Sequence, residues 1–285
     1  MIKIIKYFFQ SILIYSLFLI AFILGIKISR KIFSKLFSIV GPMFRSKKII
    51  EKNLKIFSLI APWEDKKEII KKMWENYGMT FVEYIFLSQM YKSSSHITFE
   101  GEKILDKVLK NKKPVIFISG HFANFELMSM ELTKKRIKLA TIYRPLNNFF
   151  LNPFMEFLRK KYICSDQIKK GINGVRNAIE YIKKDFSIAL MIDQRVSEGE
   201  KISFFGKTAL TTTLPAQLSI KYDLDIIPVY IERKREDHFL IKFLEPISNK
   251  HFKNKIDLSE KLNKVLENMI IKNPKQWIWT HNRWK

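Results

Sequence analysis

Five short apolar runs punctuate residues 114–243 of the chain: PVIFIS (114–119), LATIY (139–143), SIALMI (187–192), IIPVYI (226–231) and FLIKF (239–243). Between most of them the apolar residues recur every three or four positions, around 124–135, 150–162, 172–184 and 213–222. A last stretch of this kind lies around 258–271, and one or two more between Trp63 and Met90. Strands that alternate with helices need crossover connections, and crossovers bring successive strands into parallel pairing. The pattern therefore predicts an α/β fold, a largely parallel central sheet flanked by helices. A sheet of this kind gathers its functional groups beyond the C-terminal ends of its strands. No repeat, low-complexity linker or break in composition divides residues 60–285.

A different solvent is implied for the N-terminus. Lys6 and Lys27 enclose twenty residues, YFFQSILIYSLFLIAFILGI, without a charge. At 1.5 Å per residue they reach about 30 Å, the thickness of a bilayer's hydrocarbon core. The apolar part of a secretory signal is usually shorter and ends in small residues, whereas this run leads into Lys27, Arg30, Lys31 and Lys35. It reads as an uncleaved N-terminal transmembrane helix. Basic residues are denser behind the run than before it, which by the positive-inside rule places the rest of the chain on the cytoplasmic side. The following stretch, 26–44, spaces Ile28, Ile32, Leu36 and Ile39 helically among cations. It suits either an interfacial helix on anionic headgroups or a helix packed on the body. The expected division is a membrane anchor and interfacial helix at 1–40 and a catalytic domain at 41–285.

Lys and Arg number 51 against 27 Asp and Glu, a formal charge of +24, yet 47% of residues are hydrophobic. So much apolar mass excludes a disordered basic tail. A membrane-tethered nucleic-acid-binding protein would account for the charge, but the chain carries no recognisable nucleic-acid motif. The single cysteine, Cys164, excludes an intrachain disulfide and a multi-cysteine zinc site, and reads as an inert core thiol.

The first strand candidate ends in Ser119-Gly120-His121, and the chain continues Phe-Ala-Asn-Phe-Glu to give HFANFE. On one continuous helix, residues five apart would point about 140° away from each other. With His121 in a strand-to-helix turn and Glu126 in the first helical turns, the two side chains can converge. That would give an imidazole held by a carboxylate, the general-base arrangement that activates a hydroxyl. A histidine that merely caps the turn fits the same spacing. There is no G-x-S-x-G elbow, Walker loop or G-x-G-x-x-G, and no third ligand to complete a metal site with His121 and Glu126. No cofactor is called for. Direct attack by a substrate hydroxyl is favoured over a covalent enzyme intermediate.

Further polar groups follow the next strands. YRPLNN (143–148) follows the second and offers Arg144, Asn147 and Asn148 as substrate-binding candidates; Arg159 lies fifteen residues past Arg144 on the next helix. DQR (193–195) follows the third, with Gln194 a further candidate, then the aromatic FFGK (204–207) and TTT (211–213), whose hydroxyls suit a helix cap or an anion. At the C-terminus PKQWIWTHNRWK sets Trp277, Trp279 and Trp284 among cations, a pattern that fits core docking and membrane-interface seating equally.

HFANFE, YRPLNN, the Asp-Gln pair, FFGK with TTT, and the terminal PKQWIWTHNRWK, in that order, resemble the late-acting lipid A biosynthesis acyltransferases of Gram-negative bacteria. The similarity runs over nearly the whole chain. The H-x-x-x-x-[DE] element is shared with the wider glycerolipid acyltransferases, while YRPLNN and the C-terminal element are more specific. The resemblance implies an inner-membrane enzyme, its catalytic domain facing the cytoplasm, that moves a fatty acyl chain from acyl carrier protein to a hydroxyl of a Kdo-bearing lipid A precursor. It also implies a catalytic set of His121, Glu126, Arg159 and Asp193, with His121 as base and Glu126 fixing its ring. Another glycolipid or phospholipid acceptor is the alternative. The cationic surface would serve two anionic clients, the phosphorylated acceptor and the acidic carrier protein.

Overall fold

The computed structural model of the chain describes residues 2–44, 47–61 and 65–285. Trp63, where the first expected helical stretch begins, lies outside them. Helices α1 (Ile2–Phe44), α2 (Lys47–Phe57), α3 (Lys66–Glu83) and α4 (Leu87–Lys92) precede the first strand. Then come β1 (Ile97–Glu100), α5 (Glu102–Asn111), β2 (Ile116–Ser119), α6 (Glu126–Lys134), β3 (Leu139–Tyr143), α7 (Asn152–Tyr162), β4 (Asp166–Lys169), α8 (Ile172–Lys183) and β5 (Ser187–Met191). A hairpin of β6 (Glu200–Phe204) and β7 (Lys207–Thr211) leads to α9 (Leu214–Tyr222), β8 (Ile226–Arg235), β9 (His238–Phe243) and α10 (Lys255–Lys272).

Seven strands form one sheet in the order β1-β9-β8-β2-β5-β3-β4. Every neighbouring pair is parallel except β8 with β9. The α/β reading is correct, and each of the five expected strands is present. The expectation missed β1 and β4, two four-residue edge strands, ITFE and DQIK, whose polar positions hide them. It also offered no strand at the β6–β7 hairpin.

Strand β2 lies at the middle of the sheet, and its residues sort strictly by face. Ile116 and Ile118 join Ile188, Leu190 and Ile226 in one core, while Phe117 joins Ala189, Ile227 and Val229 in the other. Burial on both faces is what makes such strands read as unbroken apolar runs. From β2 the chain moves to β3 and β4 on one side, returns to place β5 between β2 and β3, and then adds β8 on the opposite side of β2. That reversal puts the switch point, where sheets of this kind hold their ligand crevice, at the C-terminal end of β2.

The C-terminal tryptophans settle the choice left by their sequence: they dock in the core. Trp277 and Trp279 are buried edge to face with centroids 4.6 Å apart, and the Trp284 indole donates to the Phe204 carbonyl at 3.0 Å. Arg283, fully buried, donates to the Leu210 carbonyl and the Thr211 hydroxyl, both at 2.7 Å, and stacks on Phe204. Burial lowers its pKa to about 10.

Helix α1 is apolar and long enough to cross a membrane by length and composition, with a mean hydropathy of 2.4 in its most apolar window. It bends at Gly25, whose φ of 73° and ψ of 162° break the helical path. Both arms meet the body. Phe18, Phe33 and Phe37 all pack on Phe81 of α3, and α3 comes so close that a Cβ on Gly78 would lie 2.2 Å from the Phe33 carbonyl oxygen.

Candidate functional site

Strand β2 delivers His121 to the crevice, and the backbone that follows is unusual. Ala123 has a φ of 45°, a left-handed conformation in which a Cβ is strained. Its carbonyl accepts from Asn76 at 3.2 Å and Thr80 at 3.0 Å, both on α3, and its N–H donates to the Gln276 carbonyl at 3.1 Å. Phe122 adds a β-bridge to Trp277. The loop is thus clamped between α3 and the C-terminal segment.

The structure divides the expected His121–Glu126 pair. The His121 Nδ1 lies 2.7 Å from Asp193 Oδ1, just beyond β5, and the His121 backbone N–H donates to Asp193 Oδ2 at 2.9 Å. The Trp277 indole donates to the same Oδ2 at 2.9 Å. The residue that fixes the imidazole is therefore Asp193 and not Glu126. The cause is topological: β5 is hydrogen-bonded to β2, so the first residues after both strands are neighbours. With the Nδ1 proton directed at Asp193, Nε2 keeps its lone pair; the Gln194 amide nitrogen is 3.5 Å from it. Burial alone would make His121 harder to protonate, but the Asp193 carboxylate and its hydrogen bond outweigh this and hold the imidazole pKa above its ordinary 6.5. Burial opposes the charge on Asp193 too, yet His121, with the Trp277 hydrogen bond, brings that carboxyl down to about 2. Phe125 packs edge-on against the ring at 4.6 Å.

Glu126 opens α6 and faces a second cluster. Its Oε1 accepts from Arg159 Nε at 2.9 Å and pairs with Nη2 at 2.8 Å, and the Tyr84 hydroxyl donates to the same oxygen. Arg159 Nη2 also reaches the Tyr84 oxygen at 2.9 Å, and the guanidinium lies over the rings of Tyr84 and Tyr143. Burial with Glu126 nearby pushes the Tyr84 hydroxyl far above its usual range. Arg159 Nη1 is buried without a hydrogen-bond partner. It is a desolvated donor on a guanidinium fixed by Glu126 and Tyr84.

A third cluster lies behind the loop. Glu83, wholly buried, accepts from Arg233 Nη1 and Nη2 at 2.7 and 2.9 Å, from Arg30 of α1 at 2.7 Å and from Asn124 of HFANFE at 2.9 Å. Burial raises its pKa, but the two guanidiniums overcome that and leave it lowered. The loop is tied through one carboxylate to α1.

The substrate-binding candidates part company. Asn148 is buried and hydrogen-bonds to Ser11 and to the Tyr7 carbonyl, so its amide holds α1. Arg144 and Asn147 are exposed and hydrogen-bond to neither catalytic-type cluster. Gln194 alone stands at His121. Cys164 is buried against the Leu139 carbonyl, and burial raises its thiol pKa. Among the described residues no group of three or more His, Cys, Asp and Glu side chains is placed to hold a metal. Sequence reasoning missed Tyr84, for which no motif stands out, and Trp277, whose tryptophan-rich surroundings were a signal of docking.

The chain thus combines a mostly parallel α/β sheet with a carboxylate-held histidine beyond the C-terminal end of its central strand. The chain belongs to the bacterial lipid A biosynthesis acyltransferase family, whose profile matches residues 1–285. It is 23% identical over 198 residues to a lipid A biosynthesis acyltransferase 2 of Shigella flexneri, a match covering 66% of this chain and 60% of that protein. It is 25% identical over 192 residues to a lipid A biosynthesis palmitoleoyltransferase of Escherichia coli, covering 65% and 60%. The matched region thus spans about 60% of these relatives' length. A solved 1-acyl-sn-glycerophosphate acyltransferase from Thermotoga maritima superposes with a TM-score of 0.42 at 14% identity, covering 89% of this chain and 100% of that one.

Proposed function

We propose that this protein is an O-acyltransferase of lipid A biosynthesis, transferring a fatty acyl chain from acyl carrier protein to a hydroxyl of a Kdo-bearing lipid A precursor. The observation that carries the reading is the His121 imidazole, its Nδ1 held by Asp193 at 2.7 Å and its Nε2 met, among the described residues, only by the Gln194 amide at 3.5 Å. Nε2 takes the proton of the acceptor hydroxyl as that oxygen attacks the thioester carbonyl carbon. The resulting imidazolium is stabilised by Asp193 and returns the proton to the departing thiolate when the tetrahedral intermediate collapses. General-base help of this kind contributes about 10²–10⁴ in rate.

Glu126 has a different part in this scheme. It fixes Arg159, whose unpaired Nη1 is the donor offered to the oxyanion of the intermediate. A donor already desolvated and aimed needs no reorganisation as charge develops, the condition under which such groups stabilise most. Arg144 and Asn147, exposed beyond β3, are left as contacts for the phosphorylated acceptor. The +24 charge suits an acidic carrier protein, to which the field would steer encounter. The apolar α1 supports a membrane location, proposed as the inner membrane with the catalytic body on the cytoplasmic side.

Mass spectrometry of lipid A from cells with and without the protein, and with His121→Ala, tests this directly. The expected result is one acyl chain lost in both deficient strains. Unchanged lipid A, with acyl transfer by purified protein to another lipid, would move the assignment to that acceptor. Wild-type turnover by folded His121→Ala would remove the catalytic assignment.

A further inference from the structure

The first arm of α1 is not surrounded by solvent on all sides. Tyr7, Ser11, Ile14, Phe18 and Ala21 are buried or half-buried, alternately four and three residues apart, and so they form one stripe along one face, with half-buried Leu17 and Leu24 at its edge. The body meets that stripe along its length. Asn148 hydrogen-bonds to the Tyr7 carbonyl and the Ser11 hydroxyl at 2.9 and 3.1 Å. Tyr15 donates to the Phe150 carbonyl at 2.9 Å and packs on Phe154, and Phe18 stacks on Phe81 at 4.9 Å. From Tyr7 to Ala21 the helix rises about 21 Å, roughly two thirds of a bilayer's hydrocarbon core.

A helix that crosses a bilayer while its body stays in water touches that body only near one end. Were α1 to cross with these contacts kept, it would carry the β3–α7 loop into the hydrocarbon with it. Exposed Arg144 and Asn147 would enter too, and irregular backbone with charged side chains is costly there. Laid along the surface, the same arm sets its outer face of Phe9, Leu13, Leu19, Phe22 and Ile23, each at least 58% exposed, against acyl chains. Past Gly25 the second arm continues the theme, with Ile28, Ile32 and Ile39 exposed among Lys27, Lys31 and Lys35. Phe149 and Phe157 extend the apolar face from the loop and α7.

We infer that α1 lies along a single leaflet rich in anionic headgroups, with Phe149 and Phe157 seated in it, so that the N-terminus and the body share one side of the membrane. This rests on the membrane location proposed above and replaces its transmembrane form. Acyl chains of the leaflet fit the apolar face, and the lysines fit the headgroup level.

Sidedness tests it in the full-length protein. In a Cys164→Ala background, Lys3→Cys and Lys201→Cys, both at exposed positions, are treated with a membrane-impermeant maleimide in right-side-out and everted vesicles. The expected result is that both react in everted vesicles and both are protected in right-side-out ones. Reaction of the two from opposite sides would overturn the inference and leave the membrane location intact; protein absent from the vesicle fraction would overturn both. Nitroxides at Leu13→Cys and Phe149→Cys, in vesicles of phosphatidylethanolamine and phosphatidylglycerol, give the depth. Both are expected at similar shallow depth. A label at position 13 near the bilayer centre with one at 149 in water would also overturn the inference.

Discussion

The two clusters that flank HFANFE contain one acid each, and they do opposite things with it. Asp193 raises the proton affinity of a ring whose ordinary pKa already lies near neutrality, so its histidine stays exchangeable. Glu126 grips an arginine that never titrates, and the result is a fixed charge with one donor to spare. A mobile proton and an immobile field are supplied by neighbouring pairs. The lesson is that spacing in a motif brings residues to one region of the fold without saying which of them touch.

The comparison breaks most sharply at His121. His121→Ala is expected to lower kcat by about 10²–10⁴ with donor binding unchanged; steady-state kinetics on folded protein check it. Asp193→Asn should cost about 10²-fold or more, because it removes the group that stabilises the imidazolium. Its signature is in the pH profile. In the wild type the base must be deprotonated, so kcat/KM is expected to rise with pH through a midpoint above 6.5. In Asp193→Asn the carboxylate's support is gone while burial remains, and the midpoint should fall. Stability follows the same linkage. The Asp193 contribution is present above its unfolded pKa and is lost as pH falls through about 2. Acid unfolding of the variant should therefore lose part of the wild-type slope.

Glu126→Ala is the next largest break and should register as stability as well as rate. It leaves the Arg159 guanidinium without its carboxylate, a loss of about 3 kcal/mol for a buried pair, measurable by denaturant titration. The acid limb of its pH profile should move less than that of Asp193→Asn, and an equal shift would mean that both acids serve the histidine. Trp277→Phe should have the smallest effect, about tenfold in kcat, since it removes one of three hydrogen bonds to Asp193.

The sheet was legible in the chain because β2, β5 and β8 are buried on both faces and so read as continuous apolar runs. The β6–β7 hairpin was not, since its turn places Phe205 at a φ of 51° ahead of Gly206 at 68°. The Asn-Gly or Asp-Gly pair that usually marks such a turn is replaced by Phe-Gly. HFANFE located His121 and Glu126, but their partners come from Asp193, Arg159 and Tyr84, and sequence distance carries no record of which strand ends meet. Asn148 was expected at a substrate because it is polar and follows a strand; nothing local reveals that Ser11, 137 residues away, donates to its amide oxygen.

The segment from Gln276 to Trp284 clamps the Ala123 backbone, bridges Phe122 and holds Asp193. All of these contacts are made by residues that leave the ribosome after the rest of the body. A nascent chain therefore carries all its strands, α1 and both acids before its histidine has a finished setting. Under the proposed mechanism, a competent His121 would have to wait until synthesis has passed Trp277.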